Sequence, residues 1–361
     1  MNSNVDLGII EGFYGRPWSW TQRADALAFL EPYGYRFYHY APKADPYLRI
    51  RWQQDYPTSK ADELAAFAKQ CRGHGVRFGI GLSPVLHNGF DADAQDALAR
   101  KLAFFDHIGT DDVALLFDDM TGATPDLADR QIEVVHWAAA RTRATRMLMC
   151  PSYYTDDPVL DRVFGARPDG YVERLGAGLD RSVEIYWTGE EVVSRQFSIG
   201  HLERVTGELQ RKPFLWDNYP VNDGARMSQY LYVRGFTGRP ASMAAHISAH
   251  GINPAVQPVL SRIPAITLDA SYREGDAYQY GSAMRDAAHT VAGESLGDML
   301  HTDVLLLQDV GLDRLGDKEA YLRGRYEGVD HDAAREIVGW LDGDYRITDA
   351  LVKEMAGNEQ G

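Results

Sequence analysis

Two adjacent carboxylates, Asp118 and Asp119, follow the unbroken apolar run Val113-Ala114-Leu115-Leu116-Phe117. Like charges side by side cost free energy unless they are put to use, and a carboxylate pair suits general acid/base work. An apolar run without alternation reads as a strand buried on both faces, with the pair at its exposed end. The bland alternative is an aspartate capping a helix that begins near Pro125. Comparable polar stretches follow other apolar runs: Glu11 to Trp18, Tyr40 to Pro46, Cys150 to Tyr154, Trp187 to Gly189, Trp216 to Asp223 and His250 to Pro254. Together they offer Lys, Asp and Asn side chains beside several aromatic rings. That mixture fits a sugar, whose hydroxyls need donors and acceptors while its apolar face stacks on a ring.

Each residue also has a plainer reading. Gly12 and Gly15 allow tight turns, Lys43 is as easily a solvated surface lysine, and Trp187 and Trp216 are commonly core. Their common position after strands is what sets them apart from these plainer roles.

The elements that would hold these groups are short apolar runs at roughly 35-residue intervals. They are Leu7–Ile10, Phe37–Tyr40, Val76–Ile80, Val113–Phe117, Met147–Cys150, Val183–Trp187, Phe214–Trp216 and Met243–Ile247. Helical patterning lies between them. Ser19-x-x-Gln22 has capping-box form, Leu64, Phe67 and Ala68 run up to a stop at Gly73, and Leu98, Leu102 and Phe105 run up to Gly109. Eight strands alternating with helices predict an α/β fold, a (β/α)8 TIM barrel over 1–270, with catalytic groups at the strands' C-terminal ends. A doubly wound open sheet is the competitor, and no GxGxxG turn follows the first strand to favour it. Beyond residue 270 the strand signal stops. Ala334, Ile337, Val338 and Leu341 share one helical face, Asp342-Gly343-Asp344 interrupts it, and Ile347 and Leu351 resume it. Residues 271–361 are expected to form a small helical region that packs on the barrel or joins two copies as a dimer.

Composition removes several function classes. A net charge of −15 leaves no basic face for nucleic acid or an anionic membrane. No apolar run is long enough to span a bilayer. The first residues lack a signal peptide's pattern, and the only two cysteines, Cys71 and Cys150, sit far apart in apolar surroundings. A cytoplasmic protein with buried thiols is the expectation. The histidines show no HExxH or similar spacing, so no metal or other cofactor is expected.

Five motifs in order, Gly8-Ile-Ile-Glu-Gly-Phe-Tyr-Gly-Arg-Pro-Trp18, Tyr40-Ala-Pro-Lys-Ala-Asp45, Leu115-Leu-Phe-Asp-Asp119, Trp187-Thr-Gly189 and Trp216-Asp-Asn218, resemble glycoside hydrolase family 84. That family contains the O-GlcNAcases and related bacterial β-N-acetylglucosaminidases. The resemblance covers about residues 7–254. It implies removal of terminal β-linked N-acetylglucosamine with retention, the substrate's own acetamide oxygen attacking C1 to give an oxazoline. Asp118 would orient the acetamide N–H, and Asp119 would be the general acid/base. The Gly12 carbonyl, Lys43, Asp223 and Asn253 would hold sugar hydroxyls. Tyr154, Thr188, Val192, Trp216 and Asn218 would line the acetamide pocket and the region of the scissile bond. Phe117 and Tyr153 are modest departures that touch none of this chemistry. Most retaining glycosidases use one carboxylate as nucleophile, but substrate-assisted enzymes do not, and two adjacent aspartates then serve as orienter and acid/base. Their closeness should split their titrations. The substrate partner would be a glycan or glycoprotein. A catalytically silent sugar-binding barrel and a metal-dependent barrel enzyme ligated by Asp118 and Asp119 are the competing readings.

Overall fold

The structure, a computed structural model, describes residues 5–86, 89–118 and 124–356. Eight parallel strands close into a barrel in sequence order. They are β1 (Leu7–Glu11), β2 (Tyr35–Tyr40), β3 (Arg77–Leu82), β4 (Asp112–Leu116), β5 (Arg146–Cys150), β6 (Glu184–Trp187), β7 (Phe214–Asp217) and β8 (Ala249–Ile252). Closure is made by β1 against β8, pairing Leu7 with His250, Gly8 with Gly251 and Ile9 with Ile252. Every residue of β4 is buried, as its unbroken apolar run requires.

The barrel helices are α1 (Trp20–Leu30), α2 (Thr58–Gly73), α3 (Ala92–Ile108), α4 (Leu127–Ala139), α5 (Val159–Phe164), α6 (Tyr171–Gly178), α7 (Ile199–Leu209) and α8 (Arg262–Glu274). The Ser19–Gln22 capping box forms at the start of α1 in both directions. Gly109 ends α3 in the left-handed region at φ 76°, where a Cβ would be strained. Gly73 is still helical, and the left-handed residue after α2 is Gly75.

One strand lies elsewhere than the apolar runs indicate. Met243 to Ile247 does not form the eighth strand: Ala241–Ala245 is a 3-10 turn, and β8 follows at Ala249–Ile252. The turn faces the protein with Met243 and Ile247, four residues apart and both buried. The true strand carries His250, held by Tyr272 and Asp217, and Gly251, where a Cβ would collide with Ile10. Its composition answers to its neighbours rather than to hydrophobicity.

After residue 274 the chain is helical: α9 (Tyr280–Leu305, kinked at Gly293), α10 (Lys318–Tyr326), α11 (Asp332–Asp342) and α12 (Asp349–Ala356). This region packs on the barrel. Glu336 of α11 accepts from the backbone N–H groups of Val259 and Leu260 ahead of α8, both at 2.9 Å. The Ile347 N–H donates to Ser228 Oγ at 3.1 Å, and Met355 Sδ lies 3.4 Å from the Gly15 amide in the loop after β1. No helix of the described residues is long and apolar enough to cross a membrane.

Candidate active site

A cavity of about 190 Å³ opens at the C-terminal end of the barrel. Seven strand ends supply its lining: Gly12 and Tyr14 after β1, Lys43 after β2, Asp118 after β4, and Cys150 and Tyr154 from β5 and its loop. Thr188, Val192 and Val193 follow β6, Trp216, Asn218, Val221, Asp223 and Met227 belong to β7 and its long loop, and Asn253 follows β8. Asp118, Gly12, Lys43, Tyr154, Thr188, Val192, Trp216, Asn218, Asp223 and Asn253 therefore meet in one place, as their sequence positions imply. Asp119 lies outside the described residues.

Asp118 sits where strand pairing ends. The Phe117 N–H still donates to the Cys150 carbonyl at 2.9 Å, and the Phe117 carbonyl accepts from Ser152 Oγ at 2.9 Å, which fixes the last peptide before Asp118. The side chain is buried, and its Oδ2 accepts from Lys43 Nζ in an ion pair with both partners nearly sealed from solvent. Its Oδ1 has no hydrogen-bond partner among the described residues. Burial alone would push this carboxyl up. The Lys43 and Arg49 charges outweigh that and hold it below the usual carboxylate range, so Asp118 is ionised. Lys43, expected on a sugar hydroxyl, is thus first of all the partner of Asp118. Its ammonium also lies 5.7 Å above the Tyr14 ring, and its backbone N–H donates to the Phe13 carbonyl at 3.3 Å.

The opposite wall is a chain of amides. Gly12 N–H donates to Asn253 Oδ1 at 3.2 Å, Asn253 Nδ2 to Asn218 Oδ1 at 3.0 Å, and Asn218 Nδ2 to the Val192 carbonyl at 2.9 Å. Trp216 Nε1 adds a second donor to Asn218 Oδ1 at 3.1 Å. Four strands, β1, β8, β7 and β6, are tied in register by this series. Gly12 has to be glycine, since any Cβ would strike the Trp216 ring. Asp223 reaches the β1 loop, its Oδ2 accepting from the Tyr14 N–H at 3.0 Å. Thr188 is held to Tyr154 through its N–H and that residue's carbonyl at 3.0 Å. Trp187 is core, fully buried and donating to His201 Nε2 at 3.0 Å.

The profile of the beta-N-acetylglucosaminidase family matches residues 7–303, most of the chain. The chain belongs to that family. The resemblance to glycoside hydrolase family 84 is borne out by the same match. β-N-acetylglucosaminidase relatives include the protein O-GlcNAcases of Mus musculus and Rattus norvegicus. Each is 29% identical over 259 residues, which is 68% of this chain. The chain spans about 28% of the length of these curated relatives. Among solved structures, a mutant O-GlcNAc hydrolase from Thermobaculum terrenum superposes with a TM-score of 0.79 at 26% identity, covering 96% of this chain and 83% of that one.

Five lining residues were not singled out by sequence: Tyr14, Cys150, Val193, Val221 and Met227. Tyr14, Cys150 and Val221 stand inside the strand-end stretches, so adjacency to motif residues was the available signal. Met227 comes from a 3-10 turn (Met227–Gln229) in the long loop after β7, where no periodicity marks it. Among the described residues no group of three or more His, Cys, Asp or Glu side chains converges as a metal site.

Proposed function

We propose that this chain hydrolyses terminal β-linked N-acetylglucosamine with retention, through an oxazoline formed by the substrate's own acetamide. The observation that carries this reading is the state of Asp118: a buried, ionised residue of the cavity lining with one oxygen taken by Lys43 and the other without a hydrogen-bond partner among the described residues. An acetamide N–H meeting Oδ1 would fill the open position. The carboxylate would then offset positive charge as the acetamide oxygen attacks C1. Asp119, one residue on, would protonate the leaving oxygen and later take a proton from water. Adjacent strand residues face opposite ways, so both would serve one site only if the chain turns out of the strand between them. The last strand pairing before Asp118 is that of the Phe117 N–H with Cys150.

A cavity of about 190 Å³ suits one sugar residue. Beside it, sharing Val192, Val193 and Met227, runs a groove of about 1120 Å³ bordered by Tyr230, Tyr232 and Arg314. That sequence of small cavity and broad groove favours a terminal sugar on a bulky carrier, a glycoprotein before a free chitin fragment. In this reading the barrel through residue 270 is the catalytic unit and 271–361 the helical region packed on it. Cys71 and Cys150, buried and not joined in a disulfide, support a reducing compartment.

The test is an aryl glycoside series with mono-, di- and trifluorinated N-acetyl groups. Withdrawing electrons from the acetamide oxygen should lower log kcat/KM steeply and steadily if that oxygen is the nucleophile. A flat series would remove the mechanism, and no turnover at all would leave a sugar-binding barrel.

A further inference from the structure

The segment Thr188–Phe197 between β6 and α7 is the partition between the sugar cavity and the adjoining groove, since Val192 and Val193 line both. It has no regular secondary structure, so something must fix its distance from β7. Arg239, in the loop between β7 and β8, is buried and spends all five of its N–H groups. Nε and Nη2 grip both oxygens of Asp217, the last residue of β7, at 2.8 and 2.7 Å. Nη2 also donates to the Ser194 carbonyl at 2.7 Å, and Nη1 to the carbonyls of Arg195 at 2.7 Å and Thr237 at 2.8 Å. The guanidinium is sandwiched between Phe197 and Phe236, 5.1 and 5.3 Å from their ring centroids.

Two of those carbonyls belong to the partition and the carboxylate belongs to the strand that carries Trp216 and leads directly into Asn218. Asp217 is completed by His250 Nε2 at 3.1 Å, and the Arg239 charge and this bond hold its carboxyl below the usual range despite burial. Asn218 makes the parallel link one residue on, donating to the Val192 carbonyl. The planar fork is what makes this possible: a lysine has three donors on one atom and cannot span a carboxylate and two distant carbonyls.

We propose that Arg239 is a positioning residue that sets the width of the cavity on its Val192 side, and through it the size of the N-acyl group accepted. This rests on the reading of the site as an N-acetylglucosaminidase centre. Among its hydrogen-bond and ring partners Arg239 has no residue that lines the sugar cavity, and it acts through the partition's backbone.

The experiment compares kcat/KM for N-acetyl and N-butyryl aryl glucosaminides in the wild type, Arg239→Lys and Phe197→Leu, alongside thermal melting. One methylene in a fitted apolar pocket is worth roughly 10–200-fold. Arg239→Lys keeps the charge beside Asp217 but frees the two carbonyls, so discrimination against the butyryl substrate should narrow by about threefold or more. Phe197→Leu loosens the same guanidinium more gently and should shift the ratio in the same direction, which decides the matter if the lysine variant fails to fold. Equal losses on both substrates in the folded variants, or an unchanged ratio, would mean Arg239 is only a structural ion pair and would overturn the inference. Wild-type protein that turns over neither substrate would instead defeat the reading of the site, and the inference with it.

Discussion

Glu11 and Asp118 are both buried carboxylates at the C-terminal ends of barrel strands, and each is paired with a buried cation. Glu11 points outward, into the shell between β1 and α1. Both its oxygens are taken by Arg23, at 2.7 Å each, and the Tyr38 hydroxyl adds a third bond at 2.6 Å. Asp118 points inward to the mouth, takes one bond from Lys43, and leaves Oδ1 open among the described residues. A buried carboxylate that is fully bonded is part of the scaffold, whereas one left half-bonded carries a standing cost that needs a reason. Asp217, closed by Arg239 and His250 in the shell beside β7, falls with Glu11. The shell and the mouth therefore use the same residue types to different ends, and what separates them is an unused acceptor.

The sharpest way to break this comparison is to neutralise one member of each kind. Asp118→Asn keeps the shape and removes the charge, and kcat/KM should fall by roughly 10²–10³, the scale for losing one preorganised electrostatic group. Its melting should change less than that of Glu11→Ala, because the asparagine keeps an acceptor oxygen for the buried Lys43 ammonium. Glu11→Ala should do the reverse. It strands Arg23 in the shell without a carboxylate, which costs about 3–5 kcal/mol of stability, while the molecules that remain folded keep their kcat. Urea unfolding and initial rates on the two variants check both arms. A Glu11 variant that is stable but inactive would erase the distinction.

How much of this could be read from the chain follows the same division. Residues of the mouth come in runs, because strand ends are short and the groups that face a ligand cluster there. Lys43, Asp118 and Asn218 all announced themselves by following an apolar stretch. Seven strands were legible because burial on both faces demands continuous apolar sequence. The eighth was misplaced because β8 is Ala-His-Gly-Ile, a pattern set by the packing of Gly251 against Ile10 and by the His250 bonds. The shell was illegible for a different reason. Arg239 and Asp217 are 22 residues apart, and Glu336 meets Val259 from 77 residues away. Such pairs leave no local period in a single sequence. The helical character of 271–361 was readable from apolar spacing. That it folds back to the β1 loop through Ile347 and Met355 was not.

Glu336 gives the smallest effect and the finest test of what closes a shell carboxylate. Like Glu11 it has both oxygens bonded, but its partners are the Val259 and Leu260 amides rather than a guanidinium. Among charged groups, Arg262 acts on it favourably and Asp332 unfavourably, and neither offsets burial, which pushes its carboxyl up to about 8 from an ordinary 4.5. Between those two values the folded chain holds a proton that the unfolded chain has already lost. This group's contribution to stability is therefore fully present below about pH 4.5 and is lost as pH rises toward 8. Over pH 6 to 8 the loss should be roughly 2 kcal/mol, from about 1.4 kcal/mol per unit with half-titration at the upper end. Glu336→Gln cannot titrate, so the stability of the wild type relative to this variant should decline by that amount over the same interval in urea unfolding. A parallel pH dependence in the two proteins would show that two amides hold a carboxylate ionised as well as an arginine does. The contrast with Glu11 would then reduce to bond count alone, since the kind of donor would make no difference.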